Sequence, residues 1–277
     1  MSLALMTDGV TLSFGRRQVL RGLDLRVPAG AVYGFLGRNG SGKTTTIRML
    51  MGILRPGLGT LTLGEQTVSR TRPAMRRGLG YVSQQQNFYP WMSVRRLSRF
   101  VGALYPTWDQ SRFEALCAKL DVPLKQRVRE LSGGTKMKLA LALAVAHRPP
   151  LLILDEPTAG VDPVTRREIL DLLRDMARDE GVTVFFSTHQ ISEVEDIGDH
   201  LGILHAGQIF WQGPVAELSS RVRRIAGPVP EGLQSLRCDA DGTLVWGDPA
   251  RIAALPDARP VSLEAAFVAI ALQDAPP

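Results

Sequence analysis

The residues best equipped for chemistry sit in Gly37-Arg-Asn-Gly-Ser-Gly-Lys-Thr44. Glycine at this spacing lets the backbone curl so that successive N–H groups converge on one anion. A lysine and a hydroxyl in register at the end are the pattern of a phosphate-cradling loop. Gly37, Asn39, Gly40, Ser41, Gly42 and Thr45 supply backbone and side-chain donors. Lys43 is placed to reach β- and γ-phosphates, and Thr44 to ligate Mg²⁺.

A second constellation follows the run Leu151-Leu-Ile-Leu154, where Asp155 and Glu156 emerge before Pro157. Four apolar residues bury a strand. An acidic pair at its carboxyl end lies where open α/β sheets bind ligands. Asp155 suits Mg²⁺, directly or through water. Glu156, one residue on, is the candidate general base that orients an attacking water.

The surrounding elements must hold these groups together. Val10, Leu12 and Phe14 alternate with polar residues as in a strand, and Val19–Val27 forms another. Ala31–Leu36 predicts a buried strand running into the glycine-rich loop, and Thr45–Leu54 a helix closed by Arg55-Pro-Gly. Leu61 and Leu63, then Gly78–Ser83, predict further strands. Residues 93–131 predict amphipathic helices broken at Pro106 and Pro123. Leu151–Leu154 (strand), Thr165–Arg178 (helix) and Val182–Ser187 (strand) resume an α/β alternation, which implies a mainly parallel sheet covered on both faces. Beyond residue 220, Gly227-Pro-Val-Pro breaks the texture. Asp241-Gly242 signals a hairpin between Leu236 and Trp246, and Ser262 caps a final helix to Leu272.

Bulk properties narrow the classes. The chain has 277 residues, 44% of them hydrophobic, which suffices for a sizeable core. No apolar run approaches the roughly 18 residues of a membrane-spanning helix, and the N-terminus lacks the pattern of a secretory signal. Cys117 and Cys238 have no paired spacing, so a disulfide scaffold or zinc site is not expected. The net charge of +6 gathers at Arg70, Arg72, Arg76 and Arg77, at Arg95, Arg96 and Arg99, and at Arg221, Arg223 and Arg224. Such clusters suit first an ordinary solvated surface, and otherwise a face that meets nucleic acid or an anionic membrane leaflet.

Leu131-Ser132-Gly133-Gly134-Thr135 resembles the signature motif of ABC ATPases, commonly LSGGQ. With the phosphate loop and acidic pair in the expected order, the resemblance covers about residues 3–220. It implies a P-loop NTPase fold of ABC type, a mainly parallel core sheet with an antiparallel β subdomain. A helical insertion is expected at about 86–135. The ATP-binding domain then spans 1–220 and a small α+β appendage 221–277. Phe14 matches the aromatic that stacks on adenine, although its alternation with Leu12 also suits a strand core. Gln84 matches the glutamine that senses Mg²⁺ and the attacking water, with Gln85 and Gln86 as neighbours that blur the register. Asp162, in Ala159-Gly-Val-Asp, matches the D-loop, but helix capping ahead of Pro163 is a rival role. His189 in Ser-Thr-His matches the switch histidine, whereas His147, His200 and His205 fall in no motif and read as structural. Thr135 departs from the common glutamine.

The resemblance also implies partners. Two copies, or one copy and a related ATPase subunit, pair head to tail, so that Ser132, Gly133 and Gly134 of one face ATP on the other. A separate integral membrane permease would dock on the helical insertion, with Asn87-Phe-Tyr-Pro-Trp-Met92 lining the receiving groove or forming the insertion's core. The expected cofactors are ATP and Mg²⁺, the expected place is the cytoplasmic face of the membrane, and no nucleic-acid partner is expected. Leu104-Tyr-Pro-Thr-Trp-Asp109 and Val261-Ser-Leu-Glu-Ala-Ala-Phe267 resemble an exporter subgroup associated with drug, peptide or lipid efflux. An importer subunit, or a soluble ABC ATPase acting on ribosomes or DNA, are the alternatives.

Overall fold

The computed structural model describes residues 2–64, 66–67 and 77–273. Arg70, Arg72 and Arg76 of the first arginine cluster lie outside the described residues.

Strands β1 (Leu3–Phe14) and β2 (Arg17–Pro28) form a long hairpin that joins β4 (Leu58–Leu63) and β5 (Gln66–Thr67) in an antiparallel sheet of order β2-β1-β4-β5. The core sheet has the order β10-β9-β3-β8-β7-β6. It comprises β3 (Val32–Leu36), β6 (Leu79–Val82), β7 (Leu151–Asp155), β8 (Thr183–Thr188), β9 (His200–His205) and β10 (Gln208–Pro214). All its neighbours run parallel except β9 and β10. β3, β7 and β8 are buried along their whole length, as parallel strands covered on both faces must be.

The helices are α1 (Lys43–Leu50), α2 (Val94–Gly102), α3 (Gln110–Lys119), α4 (Gly133–Val145), α5 (Pro163–Glu180) and α6 (Ile191–Ile197), followed by α7 (Val215–Leu218), α8 (Pro249–Ala253) and α9 (Leu263–Ala271). α2 and α3 form the expected helical insertion, and Pro106 and Pro123 fall between elements. α1 is shorter than Thr45–Leu54. Gly52 turns to φ 63°, and the N–H groups of Ile53 and Leu54 return to the Arg48 carbonyl at 2.8 and 3.2 Å, closing the helix before Arg55-Pro-Gly.

The remaining strands β11 (Val222–Ile225), β12 (Gln234–Asp239) and β13 (Gly242–Trp246) make a small antiparallel sheet of order β11-β13-β12. Its hairpin is shifted one residue from Asp241-Gly242. Asp239 pairs with Gly242, so Ala240 and Asp241 form the turn and Gly242 opens the strand at φ 125°. α9 packs against α6, β9 and β12, and Phe267 and Ile270 join the main core with Leu201 and Ile203. Ser262 caps α9 by accepting from the Ala265 N–H at 3.1 Å.

Candidate functional site

The parallel strands bring their carboxyl ends to one edge, and the predicted chemical groups meet there. The loop after β3 begins with the Gly37 N–H bonded to the Thr188 carbonyl at 3.3 Å, which stitches the phosphate loop to the end of β8. A side chain at Gly37 would meet the Leu204 carbonyl at 2.8 Å. Gly42, at φ 113°, turns the chain into α1 without a side-chain cap. The helix therefore presents its first N–H groups and positive dipole end to the cleft.

Lys43 is 5% exposed. Its Nζ donates to the Gly37 carbonyl at 2.7 Å and lies 3.2 Å from Glu156 Oε1. Gln84 Nε2 donates to Glu156 Oε2 at 3.3 Å, and His189 Nδ1 lies 3.4 Å from the same oxygen. Three of the predicted residues thus surround the fourth. The register among the glutamines resolves on Gln84, because Gln86 turns back to the Ser83 carbonyl and the Met137 sulfur. Asp155 Oδ1 accepts from Thr44 Oγ1 at 3.2 Å and from Ser187 Oγ at 2.8 Å. Glu156 itself sits at φ 48°, in left-handed backbone that costs a non-glycine residue about 1–3 kcal/mol and is characteristic of functional positions.

Lys43, Thr44, Gln84 and Glu156 line a cleft of about 540 Å³ with Phe14, Asn39, Gly40, Gly42 and Thr45, while His189 and Asp155 reach it only through their contacts with Glu156 and Thr44. Phe14 is the last residue of β1 and is 52% exposed, so it belongs to the cleft mouth and not to the strand core. Arg17, its cross-strand partner, and Val19 line the same cleft. Sequence reasoning missed both, since only the β1–β2 hairpin brings them there. A larger cleft of about 870 Å³ lies at the opposite edge of the sheet, and its described lining, including Leu3, Met6 and Leu151, carries no ionisable side chain. The charged and polar groups singled out in the sequence gather at the smaller one.

Two further residues escaped the sequence reading. Ser187 accepts from the Glu156 N–H at 3.0 Å while donating to Asp155, so it orients both acids. Glu193, 1% exposed, accepts from Thr158 Oγ1 and Thr188 Oγ1, each at 2.6 Å. It ties the loop carrying Glu156 to the loop carrying His189. A polar residue near the end of β8 was the available signal for Ser187, whereas no local pattern marked Glu193.

The signature residues lie elsewhere. Ser132 caps α4, accepting from the Thr135 N–H at 3.1 Å, and its Oγ is 2.9 Å from Thr135 Oγ1. A Cβ at Gly134 would touch Thr165 Cγ2 at 3.2 Å, which places the start of α4 against the start of α5. Asp162 caps α5 by accepting from Val164 and Thr165 N–H groups, both at 3.0 Å, so the capping role is real. The Thr165 N–H is the main reason its carboxyl is held below the usual carboxylate range. Neither Asp162 nor Ser132–Gly134 lines the cleft of its own chain.

His147 is buried, stacked on Tyr105 at 4.1 Å with Nε2 3.2 Å from the Leu79 carbonyl, as a structural histidine should be. Asn87 and Phe88 line a groove of about 390 Å³ with Tyr81 and Tyr105. Tyr89 and Trp91 stand outside it, exposed, in a cluster with Phe100. They are therefore not the core of the insertion.

The family described as ABC transporter matches residues 20–159, half of the chain. A second, described as "AAA domain, putative AbiEii toxin, Type IV TA system", matches residues 124–195 inside the same fold. The bacitracin transport ATP-binding protein BcrA of Bacillus licheniformis is 33% identical over 81% of this chain and 74% of its own. The Nod factor export ATP-binding protein I of Burkholderia lata is 37% identical over 80% and 76%. Among solved structures, cbiO1 from Clostridium perfringens, part of the ABC transporter complex cbiONQ, superposes with a TM-score of 0.70 at 27% identity, over 79% of this chain and 91% of that one. A dimeric ATP-binding cassette in a post-hydrolysis state with ADP and Pi superposes with a TM-score of 0.69 at 22% identity over 76% and 98%, a likeness of fold. The chain belongs to the ABC transporter family and is an ATP-binding, ATP-hydrolysing subunit of that family.

Proposed function

We propose that this subunit works as a head-to-tail dimer that closes around two ATP molecules and drives a separate membrane permease for export. The observation that carries the reading is the division of the site. Lys43, Gln84 and His189 all meet Glu156, which lines the cleft with Lys43 and Gln84. The capped start of α4 at Ser132–Gly134 lies outside that cleft's lining, beside α5. A helix N-terminus lined by glycine is an anion receptor, and a second copy supplies the anion. ATP held between two chains binds the closed state more tightly than the open one, so its hydrolysis releases the dimer.

Within one cleft, Lys43 contacts the β- and γ-phosphates, and Phe14 stacks on the adenine. Glu156 accepts the proton of the attacking water, which Gln84 and His189 orient. The new bond joins water oxygen to the γ-phosphorus, the bond to the β-phosphate oxygen breaks, and ADP leaves with phosphate as the second product. The oxygen donors Thr44 Oγ1 and Asp155 Oδ1, 3.2 Å apart, fit Mg²⁺, with Gln84 beside them. When bound, the ion neutralises phosphate charge.

The permease reading rests on the groove at Asn87 and Phe88 and on the exposed cluster of Tyr89, Trp91 and Phe100. No helix among the described residues is long and apolar enough to cross a membrane, and in this reading a separate permease spans it while the subunit sits on the cytoplasmic face of the membrane. Export of an antibiotic-, peptide- or lipid-like substrate follows from relatives named for bacitracin transport, linearmycin resistance and Nod factor export. Residues 1–220 form the ATPase domain and 221–277 the accessory unit in this reading. The test is sizing of Glu156→Gln with ATP and Mg²⁺. A stable dimer is expected, and a monomer at saturating ATP would refute the clamp.

A further inference from the structure

The small C-terminal unit touches the phosphate loop. Arg38, the residue after Gly37, donates from its guanidinium to the Ala271 carbonyl at the end of α9, at 3.2 Å. The carbonyls of Gly37 and Arg38 face Lys43 Nζ at 2.7 and 3.4 Å, so the same two residues cradle the lysine. α9 has no basic residue in its own last turn. Its C-terminal carbonyls carry partial negative charge, and the phosphate loop supplies the cation. α9 is fixed in turn. Phe267 and Ile270 are buried in the main core, and Gln273 Nε2 donates to the Leu236 carbonyl on β12. A cavity of about 250 Å³ lies at this junction, between Arg38, His205, Phe267 and Gln273.

We infer that Arg38 is a positioning residue through which α9 sets the shape of the phosphate loop and hence the affinity for ATP. Arg38 does not line the nucleotide cleft. It acts on the loop from behind, with α9 as its anchor. The C-terminal unit is then part of the nucleotide site's support, and whatever displaces α9 weakens ATP binding. The inference rests on the reading of Gly37–Thr44 as the ATP site.

The experiment is equilibrium binding of a non-hydrolysable ATP analogue to full-length variants, with kcat and KM measured beside it. Arg38→Ala should weaken binding about three- to tenfold, the range of a helix-terminus charge contact. KM should rise while kcat is held, and Arg38→Lys should restore most of the loss. Gln273→Ala and Phe267→Leu, which loosen α9 and change no residue of the loop itself, should weaken binding in the same direction. Each should add little to Arg38→Ala, since coupled residues are non-additive. If Phe267→Leu proves unstable on melting, Gln273→Ala, at the helix end, carries the comparison. Unchanged affinity in Arg38→Ala would overturn the inference. So would a loss in Arg38→Ala with none in the α9 variants, because Arg38 would then act on the nucleotide directly. Lys43→Ala separates the two levels. If it binds the analogue like wild type, the ATP-site reading itself fails, whatever Arg38 does.

Discussion

Lys43 and Glu156 form a buried ion pair, Nζ to Oε1 at 3.2 Å, between the phosphate loop and the end of β7. In the proposed mechanism the lysine that contacts phosphate thus holds the carboxylate that activates water. Glu156→Gln keeps the shape and loses the base. Turnover should fall about 10²–10⁴-fold while ATP still binds. Lys43→Ala should instead lose ATP affinity and also destabilise the fold, because it strands a buried carboxylate. Parallel assays of binding, turnover and melting distinguish the two. A Glu156→Gln variant that hydrolysed ATP at the wild-type rate would move the base elsewhere.

Glu193 makes a second, less visible contribution. Its carboxylate receives Thr158 and Thr188 hydroxyls, and through them spans the loops bearing Glu156 and His189. Glu193→Ala leaves two buried hydroxyls without their acceptor, a loss of about 1–3 kcal/mol for each group. We expect lower kcat with nearly unchanged ATP affinity, and partial rescue by Glu193→Gln, whose amide oxygen still accepts. Equal loss in the two variants would count against the hydrogen-bonding role.

Thr135 stands where glutamine is commonest, and its hydroxyl meets Ser132 Oγ at 2.9 Å. Thr135→Val removes that partner but keeps the helix cap, which uses the Thr135 N–H. ATP-driven dimerisation in a Glu156→Gln background should weaken by roughly three- to tenfold, the worth of one hydrogen bond. Monomer affinity for ATP should not change.

His147 gives the fold a pH dependence. Burial holds its pKa below the usual histidine value, outweighing the Leu79 carbonyl beside Nε2. Between the folded and unfolded pKa values the unfolded chain binds more protons, so stability rises with pH there. The contribution is present above the unfolded value, near 6.5, and is lost as pH falls through the folded one. His205 shifts in the same direction, again by burial first. Melting temperature should therefore drop between about pH 7 and 5, and His147→Gln should flatten part of that slope. A slope unchanged by His147→Gln would exclude it as the source.

The two cysteines should separate cleanly. Cys117 is buried at 1% exposure, which pushes its thiol up to about 12, whereas Cys238 is exposed. Because the thiolate is the reactive form, a thiol reagent should label one site in the native protein and two in denaturant.

The aromatic stretch before α2 offers a graded test. Trp91 is 61% exposed, so Trp91→Ala should leave melting nearly unchanged while weakening co-purification with the permease. Phe88 packs against the core, and Phe88→Ala should lower both. A permease retained fully by the double variant would remove this surface from the interface.

The amino-acid sequence by itself determined the chemistry. Gly37–Thr44, Asp155-Glu156 and Leu131–Thr135 are local patterns, since phosphate cradling, strand-end acids and helix caps each depend on residues adjacent in the chain. It also carried the α/β alternation, because periodicity and glycine or proline breaks are local. Only the tertiary structure decided what is non-local. β8 sits between β3 and β7, which brings Thr188 to Gly37 and Ser187 to Asp155 across long stretches of chain. Phe14 became a cleft residue because its hairpin ends there, and Gln84 was singled out from its neighbours by reaching Glu156. Glu193 and the Arg38–Ala271 contact were invisible in the sequence. A buried carboxylate or a helix-end carbonyl acquires its partner only when separate elements pack, and one-dimensional spacing holds no record of that meeting.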